Sequence, residues 1–362
     1  MTGFFIYFEN IIIFMKNILI SITAIVFIAV VVAAWLVLGS ATTFKENRKY
    51  IFVYTGKAGE DSVMDFIEKN DLLKNPGVFD VLANKTDVWT KLKPGRYEIK
   101  KGENLLTIIR TLRNNRQSPV NLVINKLRTN EDLAGILAKN FEEDSLEVIS
   151  FISNNDSLTK LSVNRNTLMT LVIPNTYTLF WNTSPGRIFK RLKSEKETFW
   201  DKKDRLTKAK SLGFSPGQIY TIASIVEEET NQDDEKGNVA SVYINRFRTG
   251  MPLGADPTIK FALNDFSLKR IYRKYLDVQS PYNTYKNTGL PPGPICTPSS
   301  KTIDAVLNSP KTNYMYFVAK NDFSGHHTFS VTYAEHLQHA KEYQKALDEL
   351  ILRKQNAAGT AL

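Results

Sequence analysis

Residues 215–230, SPGQIYTIASIVEEET, combine a clear helix start with an unusual acidic end. Ser215 is a common helix cap and Pro216 suits the first helical position, so we predict a helix from residue 216 to about 230. Apolar residues recur at helical spacing and predict a buried side: Ile219, Ile222, Ile225 and Val226. Glutamates 227–229 occupy the carboxyl end, where negative charge opposes the helix dipole. A local conflict of this kind indicates a functional position.

The three glutamates face different surroundings, because successive helical side chains point about 100° apart. Glu227 follows Tyr220 and Ser224, and we predict space for a ligand beside these residues. Glu229 follows the apolar side and is expected to support the site from a buried position, in contact with the substrate. A carboxyl in an apolar cleft has a raised pKa and can donate a proton near neutral pH. The alternative is a solvated acidic helix end without a special role.

An uncharged apolar run covers residues 18–38 and is about 30 Å long as a helix, which is the thickness of a bilayer's hydrocarbon core. We predict a single transmembrane anchor there, after an N-terminal extension at 1–17. A cleaved signal peptide usually has a shorter apolar region. Lys45, Arg48 and Lys49 follow the run whereas only Lys16 precedes it, so basic residues alone favour a cytoplasmic body. Residues 40–50 are interpreted as a polar tether.

Three strand–turn–helix units are predicted within residues 45–160, with strands at 50–54, 96–100 and 120–124. Thr129 and Asp132 predict a capping box at the third helix. Residues 97–105, YEIKKGENL, resemble the LysM module, a βααβ fold that binds glycans. This resemblance implies a wall-binding region, and the alternative is an ordinary βα spacer. We interpret residues 161–354 as a mainly helical α+β catalytic domain and 355–362 as a flexible tail.

Composition excludes several classes of function. The formal charge of +10 indicates attraction to polyanions, but no zinc-finger spacing or RNA-binding strand motif accompanies it, so we expect no nucleic-acid partner. A single cysteine, Cys296, forms no internal disulfide and excludes a cysteine-rich zinc site. The four histidines lack metal-ligand spacing, so we expect neither metal nor cofactor.

Ordered blocks across residues 170–345 resemble the endolytic murein transglycosylase family, also called YceG-like. These blocks include ASIVEEET at 223–230, NVASVYINR at 238–246, GMPL at 250–253, ADPT at 255–258, YNTY at 282–285, TGLPPG at 288–293, YFV at 316–318, HTF at 327–329 and EH at 335–336. There are departures: Asn175 stands where Asp is common, and Gly254 where Gln is common.

The resemblance implies cleavage of the bond between N-acetylmuramic acid and N-acetylglucosamine, with closure of a 1,6-anhydro ring on the muramic acid. It matches Glu227 to the catalytic acid and base. We expect a group of side chains to line the substrate cleft: Tyr220, Ser224, Glu229, Asn283, Thr284, Tyr285 and His327. Asn283 as a turn cap and Tyr285 as a core residue remain alternatives, and Asp256 is expected to cap a helix.

The predicted fold class is therefore α+β, with one transmembrane helix, LysM-like βα modules and a helical catalytic domain. An extracytoplasmic substrate implies a body outside the cytoplasmic membrane, and the family implies peptidoglycan synthases as partners. Two rival functions stay open. One is a hydrolase that uses Glu227 with Asp256 as a carboxylate pair, and the other is a non-catalytic wall-binding scaffold.

Overall fold

The computed structural model describes the backbone of residues 2–359 and the side chains of residues 13–353 and 355. Met1 and residues 360–362, part of the predicted flexible tail, lie outside the described residues. The remainder of that tail up to Gly359 is helical. The chain divides into two compact units: the first runs to Val120 and includes Leu179–Asn182, and the second comprises Asn121–Thr178 and the chain from Thr183 onward.

The first unit contains α1 (Thr2–Leu38), β1 (Arg48–Val53), α2 (Glu60–Lys69), α3 (Pro76–Lys85), α4 (Val88–Lys91), β2 (Gly95–Lys100) and α5 (Leu105–Arg113). Strands β1 and β2 pair antiparallel, with Ile51 opposite Tyr97. Their inward residues alternate with exposed ones and join the helices in one core that includes Val53, Ile67, Phe79 and Ile108. The strands predicted at 50–54 and 96–100 are confirmed, and a helix follows each of them.

A LysM-like module that starts at Tyr97 is not confirmed. Strand β2 pairs with the preceding strand β1, and the next strand, β3 (Val120–Ile124), pairs with β4 (Asn175–Leu179). The pairing that a βααβ module starting at β2 requires is therefore absent from the described residues. Because β3 pairs with β4, the compact units divide between Val120 and Asn121, earlier than the domain boundary predicted at 160/161.

Residues 40–47 are not the free tether that we predicted. Ala41, Thr42 and Phe44 are buried. The Ala41 amide donates to the Glu103 carbonyl at 2.9 Å, and the Ala41 carbonyl accepts from the Lys74 amide at 2.8 Å. The end of α1 is therefore fixed to the first unit. Residues Ile13–Leu38 of α1 are long and apolar enough to cross a membrane, judged by length and composition.

The second unit is mainly helical. Its helices are α6 (Asn130–Asn140), α7 (Ser145–Ser153), α8 (Asn155–Lys160), α9 (Pro185–Asp201), α10 (Arg205–Leu212), α11 (Pro216–Glu229), α12 (Lys236–Arg248), α13 (Asp256–Leu263), α14 (Ser300–Leu307) and α15 (Tyr333–Gly359), with short 3₁₀ helices at Leu168–Leu171 and Arg273–Asp277. Strands β5 (Tyr316–Ala319) and β6 (His327–Ser330) form an antiparallel pair. The capping box predicted for Thr129 and Asp132 is confirmed at the start of α6.

Helix α11 lies at the centre of the second unit. Eight consecutive residues, Ile219–Val226, are buried, so every side of this helix is covered. It contacts α12, α13 and α14, and its core extends to Val239, Ile259 and Ile303. The predicted helix start is confirmed, since Ser215 accepts from the Gln218 amide and Gln218 bonds back to Ser215. The acidic end of α11 is therefore held by a fully packed helix.

Candidate active site

The three glutamates at the end of α11 have different electrostatic partners. Glu227 and Glu228 each lie within 4 Å of a lysine or arginine nitrogen. Glu229 has no such ion pair among the side chains that the structure describes. Neighbouring residues of one type therefore occupy three distinct environments, as their angular separation predicts.

Glu227 points towards α14 and α12. One carboxylate oxygen accepts hydrogen bonds from the hydroxyls of Thr302 and Ser299, the latter at 3.2 Å. The same oxygen lies 3.6 Å from Nζ of Lys236, which is itself buried. Glu227 therefore joins three helices in a polar contact, whereas we had predicted open ligand space beside it.

Glu228 points to a third side of α11. Its two oxygens lie 3.1 Å from Nζ of Lys126 and 3.0 Å from Nη2 of Arg128. Both cations precede α6, so this double ion pair connects α11 with the chain just after β3.

Glu229 is part-buried and points towards α12 and a cavity. The Tyr243 hydroxyl donates to Oε1 of Glu229 at 2.5 Å. Burial and, as a smaller cause, the negative charge of Asp256 raise the pKa of Glu229 from an ordinary value near 4.5 to about 7, against the opposing effects of Tyr243, Lys260 and Arg246. At neutral pH this carboxyl is therefore divided between its acid and its carboxylate. That balance suits a group that donates and then accepts a proton.

The cavity beside Glu229, the Glu229 cavity hereafter, has a volume of about 450 Å³. Small-molecule sites have volumes of about 300–1,000 Å³. Its polar lining residues are Glu229, Tyr243, Arg246, Asp256 and Tyr285. Its aromatic lining residues include Tyr316, Phe317, Tyr333 and His336. The cavity therefore offers a proton donor and ring surfaces to the same ligand.

Asp256 provides a second carboxyl in this cavity. It occupies the first turn of α13 but makes no capping hydrogen bond, in contrast to our expectation. It accepts a hydrogen bond from the Tyr285 hydroxyl at 2.6 Å. Burial, together with this hydrogen bond and the charge of Asp256, raises the pKa of Tyr285, so its hydroxyl stays a donor. Asp256 is thereby oriented in the cavity that Glu229 also lines.

Residue 254 also borders the cavity, and glycine suits its backbone. Gly254 has φ +57°, in the left-handed region. A Cβ here would approach Nη1 of Arg246 to 3.3 Å and Cε1 of Tyr285 to 3.6 Å. The glycine found in place of the expected glutamine therefore leaves the space between Arg246 and Tyr285 open.

Of the predicted cleft residues, Glu229 and Tyr285 line the Glu229 cavity. Four others are buried and bonded within the protein. The Tyr220 hydroxyl donates to the Val172 carbonyl at 2.5 Å, and the Ser224 hydroxyl donates to the Thr221 carbonyl at 2.7 Å. These two side chains have no surface left for a substrate.

Asn283 and Thr284 form the support beneath Tyr285. Asn283 donates to the Leu276 and Val278 carbonyls, each at 2.9 Å, which matches the alternative in which it caps a turn. Thr284 accepts from the Ala255 amide at 3.0 Å. These bonds fix the start of α13 and the loop that contains Tyr285. Asn283 and Thr284 therefore hold the cavity wall in position without lining the cavity.

His327 lies at the start of β6 and bonds to Glu235. Its Nδ1 is 2.8 Å from Oε1 of Glu235, and its amide donates to Oε2 at 2.8 Å. The imidazole packs edge-on against Phe317, with ring centroids 5.2 Å apart. His327 therefore contacts a residue that lines the cavity and is not itself one of the lining residues.

Sequence reasoning missed the roles of Tyr243, Arg246, Tyr316, Tyr333 and His336 in lining the cavity. Four of these, all except Tyr333, fall in or beside the family blocks, which was the signal available. Among the side chains that the structure describes, no group of three or more His, Cys, Asp or Glu residues is placed to hold a metal ion.

Comparison with known proteins identifies the family. Residues 53–342 match the YceG-like family. The chain belongs to that family. It is 28% identical over 305 residues to the endolytic murein transglycosylase of Bacillus subtilis, covering 80% of this chain and 83% of the relative. It is also 28% identical to that of Streptococcus pneumoniae over 307 residues, and there it spans about half (55%) of the relative.

A solved structure supports the same assignment. The crystal structure of a YceG-like protein from Listeria monocytogenes matches 81% of this chain and 99% of its own, with a TM-score of 0.54 and 25% identity. The family resemblance inferred from the ordered blocks is therefore confirmed.

The raised pKa of Glu229 predicts a pH-dependent cost to stability. Its folded pKa of about 7 lies above its ordinary value near 4.5, so its contribution to stability is present below pH 4.5 and is lost as the pH rises to 7. We expect Glu229→Gln to raise the melting temperature relative to the unmodified chain more at pH 8 than at pH 5. Calorimetry at both values measures this difference. Glu227→Gln, which breaks an ion pair, is the matched control and should lower the melting temperature at pH 8. An equal effect of Glu229→Gln at the two pH values contradicts the prediction.

Proposed function

We propose that this chain is an endolytic murein transglycosylase. It cuts the bond between N-acetylmuramic acid and N-acetylglucosamine within peptidoglycan strands and leaves 1,6-anhydro ends, which limits strand length during wall assembly. Its family membership and its relatives of that name support this function. The observation that carries it is a carboxyl with a pKa near 7 in a cavity of sugar-binding size.

Glu229 performs both proton transfers in this proposal. As the acid it protonates the glycosidic oxygen, and the bond to C1 of the muramic acid breaks. The C6 hydroxyl of the same sugar then bonds to C1, and Glu229 takes the hydroxyl proton. One group serves both steps because donation leaves it ready to accept. The Tyr243 hydroxyl donates to Oε1 of Glu229, which holds the side chain in place.

The contacts favour Glu229 over Glu227, which the sequence had placed first. The Glu227 carboxylate already accepts from Thr302 and Ser299 and pairs with Lys236. These contacts turn the Glu227 carboxylate towards α12 and α14, and Glu227 is not one of the residues that line the Glu229 cavity. Glu229 has no ion pair of this kind, and its pKa lies in the range that acid and base steps need.

A hydrolase is the second candidate, and one observation keeps it in consideration. Asp256 lies in the same cavity as Glu229, and a carboxyl pair is the usual arrangement of glycoside hydrolases. Oδ1 of Asp256 accepts a hydrogen bond from the Tyr285 hydroxyl, which orients this carboxyl in the cavity, where it positions a water molecule or the C6 hydroxyl. The two candidates differ in their products, since hydrolysis gives reducing ends.

Product analysis tests the reaction and the site together. We expect the full chain to release fragments with 1,6-anhydro ends from purified peptidoglycan, measured by mass spectrometry. Glu229→Gln should reduce the rate by at least about 100-fold, because general acid–base catalysis typically contributes that much. Glu227→Gln should keep most of the activity at a temperature at which it remains folded.

The matched pair decides between the two glutamates. Reducing ends in place of anhydro ends support the hydrolase. Loss of cutting in folded Glu227→Gln, with full activity in Glu229→Gln, restores the assignment made from the sequence. Circular dichroism confirms that each variant is folded.

Asp256 should set the upper pH limit of activity. The acid must be protonated, so activity falls as the pH rises through the pKa of Glu229. Asp256 raises that pKa through its charge, although burial is the larger cause. We expect Asp256→Asn to move the alkaline limb of the kcat/KM profile to lower pH, and Asp277→Asn, on an exposed 3₁₀ helix, to leave it in place. An unchanged limb in Asp256→Asn contradicts this role.

We also propose that the protein is anchored by Ile13–Leu38 in the cytoplasmic membrane, with its body on the outer side, where peptidoglycan lies. The length and apolar character of this segment support an anchor. The bonds of Ser40 and Ala41 to the loops at Lys74 and Glu103 hold the first unit directly at the end of α1. LysM-like glycan binding by the first unit and partnership with wall synthases remain predictions.

The single buried cysteine allows a direct test of topology. Cys296 is fully buried, so the natural chain should react little with a membrane-impermeant maleimide. A Ser153→Cys variant places a thiol at an exposed position on α7. We expect this thiol to be labelled in intact cells to the same extent as in lysed cells. Labelling only after lysis places the body in the cytoplasm and contradicts the proposal.

A further inference from the structure

Three rings, the aromatic face hereafter, form one side of the Glu229 cavity: Tyr316, Tyr333 and His336. The rings of Tyr316 and His336 are stacked, with centroids 5.3 Å apart and an interplanar angle of 23°. The Tyr333 ring lies 5.6 Å from that of Tyr316 and 6.1 Å from that of His336. The three rings are therefore neighbours in the lining of the cavity, and the stacked rings of Tyr316 and His336 cover part of each other's faces.

The start of α15 fixes this arrangement. Tyr333 and His336 are three residues apart, so they lie on the same side of the helix. The Glu335 carboxylate accepts from the Val331 and Thr332 amides at 3.0 and 3.2 Å, and the Glu335 amide donates to the Thr332 hydroxyl at 3.2 Å. These reciprocal bonds hold the first turn, and Tyr316 approaches it from β5. The rings are thus positioned before any ligand arrives.

The contacts of Tyr333 within the protein leave much of this residue exposed. Its side chain is 58% exposed although it borders a cavity. Burial is the first cause that lowers the pKa of His336, followed by the nearby charge of Arg246, so its imidazole is neutral at pH 7. The Arg246 guanidinium donates to the Met315 and Leu253 carbonyls at 2.7 and 2.6 Å. The same guanidinium lies 5.3 Å from the centroid of the Tyr316 ring. Tyr333 is therefore the open ring of the aromatic face, and its neighbours are held in place by contacts within the protein.

We propose that the aromatic face binds a sugar ring of the glycan strand by stacking, next to the bond that Glu229 protonates. This assignment rests on the proposed function. The C–H face of a pyranose is apolar and matches an uncharged ring surface, whereas the sugar's hydroxyl and amide edges need polar partners. Asp256 and Tyr285, in the lining of the same cavity, are polar partners of this kind. The cavity thus presents an apolar surface and a polar edge to one ligand.

The test compares Tyr333 variants of the full chain in detergent micelles, with peptide-free glycan strands as the substrate. We expect Tyr333→Ala to raise KM about five- to tenfold, in line with the typical strength of ring stacking, and to change kcat by less than about twofold. Tyr333→Phe should keep the natural KM, because it retains the ring. Tyr272→Ala is the matched control, since Tyr272 is 56% exposed and lies outside the cavity.

A binding measurement separates this inference from the proposed function. In the Glu229→Gln background, binding of the same strands is measured by calorimetry with and without Tyr333→Ala. A five- to tenfold loss of affinity supports the aromatic face even if the chain makes no anhydro ends. If the natural chain makes anhydro ends but Tyr333→Ala behaves like Tyr272→Ala in both measurements, the aromatic face does not bind sugar. An equal loss in Tyr333→Phe assigns the effect to the hydroxyl and also overturns stacking.

Discussion

The burial of the Glu229 carboxyl without an ion pair is the constraint on which the site depends. Glu227 and Glu228, on the same helical turn, each have a cation within 4 Å. Had Glu229 an equal partner, its pKa would fall and the proton needed near neutral pH would be lost. The protein therefore compensates two charges at an unfavourable helix end and leaves the third without one, beside a cavity.

This distribution of charge requires a rigid helix. A carboxyl pointing into a cavity becomes solvated if the end of α11 unwinds, and its pKa then returns towards the ordinary value. The buried residues Ile219–Val226 and the contacts of Glu227 with α12 and α14 oppose that unwinding. Glu227 and Glu229 therefore lie on opposite sides of one helix and differ in role. Glu227 fixes the helix end, and Glu229 is the proposed proton donor.

Local signals in the sequence predicted the strands at 50–54, 96–100 and 120–124 and the starts of the helices at Asn130 and Pro216. Ser215 and Thr129 mark helix starts, because each accepts a hydrogen bond from the amide three positions later. A short stretch of sequence is therefore enough to predict them. The roles of the glutamates depend on distant residues instead. Thr302 is 75 positions from Glu227, and Tyr243 is on the next helix. Periodicity showed that Glu227 and Glu229 face different ways but not which neighbour each one meets.

The tether predicted at residues 40–50 also depends on distant residues. The Ala41 backbone pairs with Lys74 and Glu103, more than 30 residues away, and a local window of sequence does not show this pairing. The family blocks did contain Asp256, Tyr285, Tyr316 and His336, but a block records which residues recur and not which of them share a cavity. Tyr220 and Ser224 belong to the same helix as Glu229 and are nevertheless bonded inside the core.

In the proposed mechanism, Glu229 and the aromatic face need different degrees of exposure to water. Glu229 needs a dry environment for a pKa near 7, whereas the strand needs an open path to enter the cavity. An exposed ring such as Tyr333 reconciles the two demands if a sugar covers it, because the bound sugar displaces water from the cavity and disfavours the carboxylate further. Binding then strengthens the acid at the moment when its proton is used. In the proposed mechanism, the sugar that covers the exposed Tyr333 ring therefore also promotes proton donation by the buried Glu229 carboxyl.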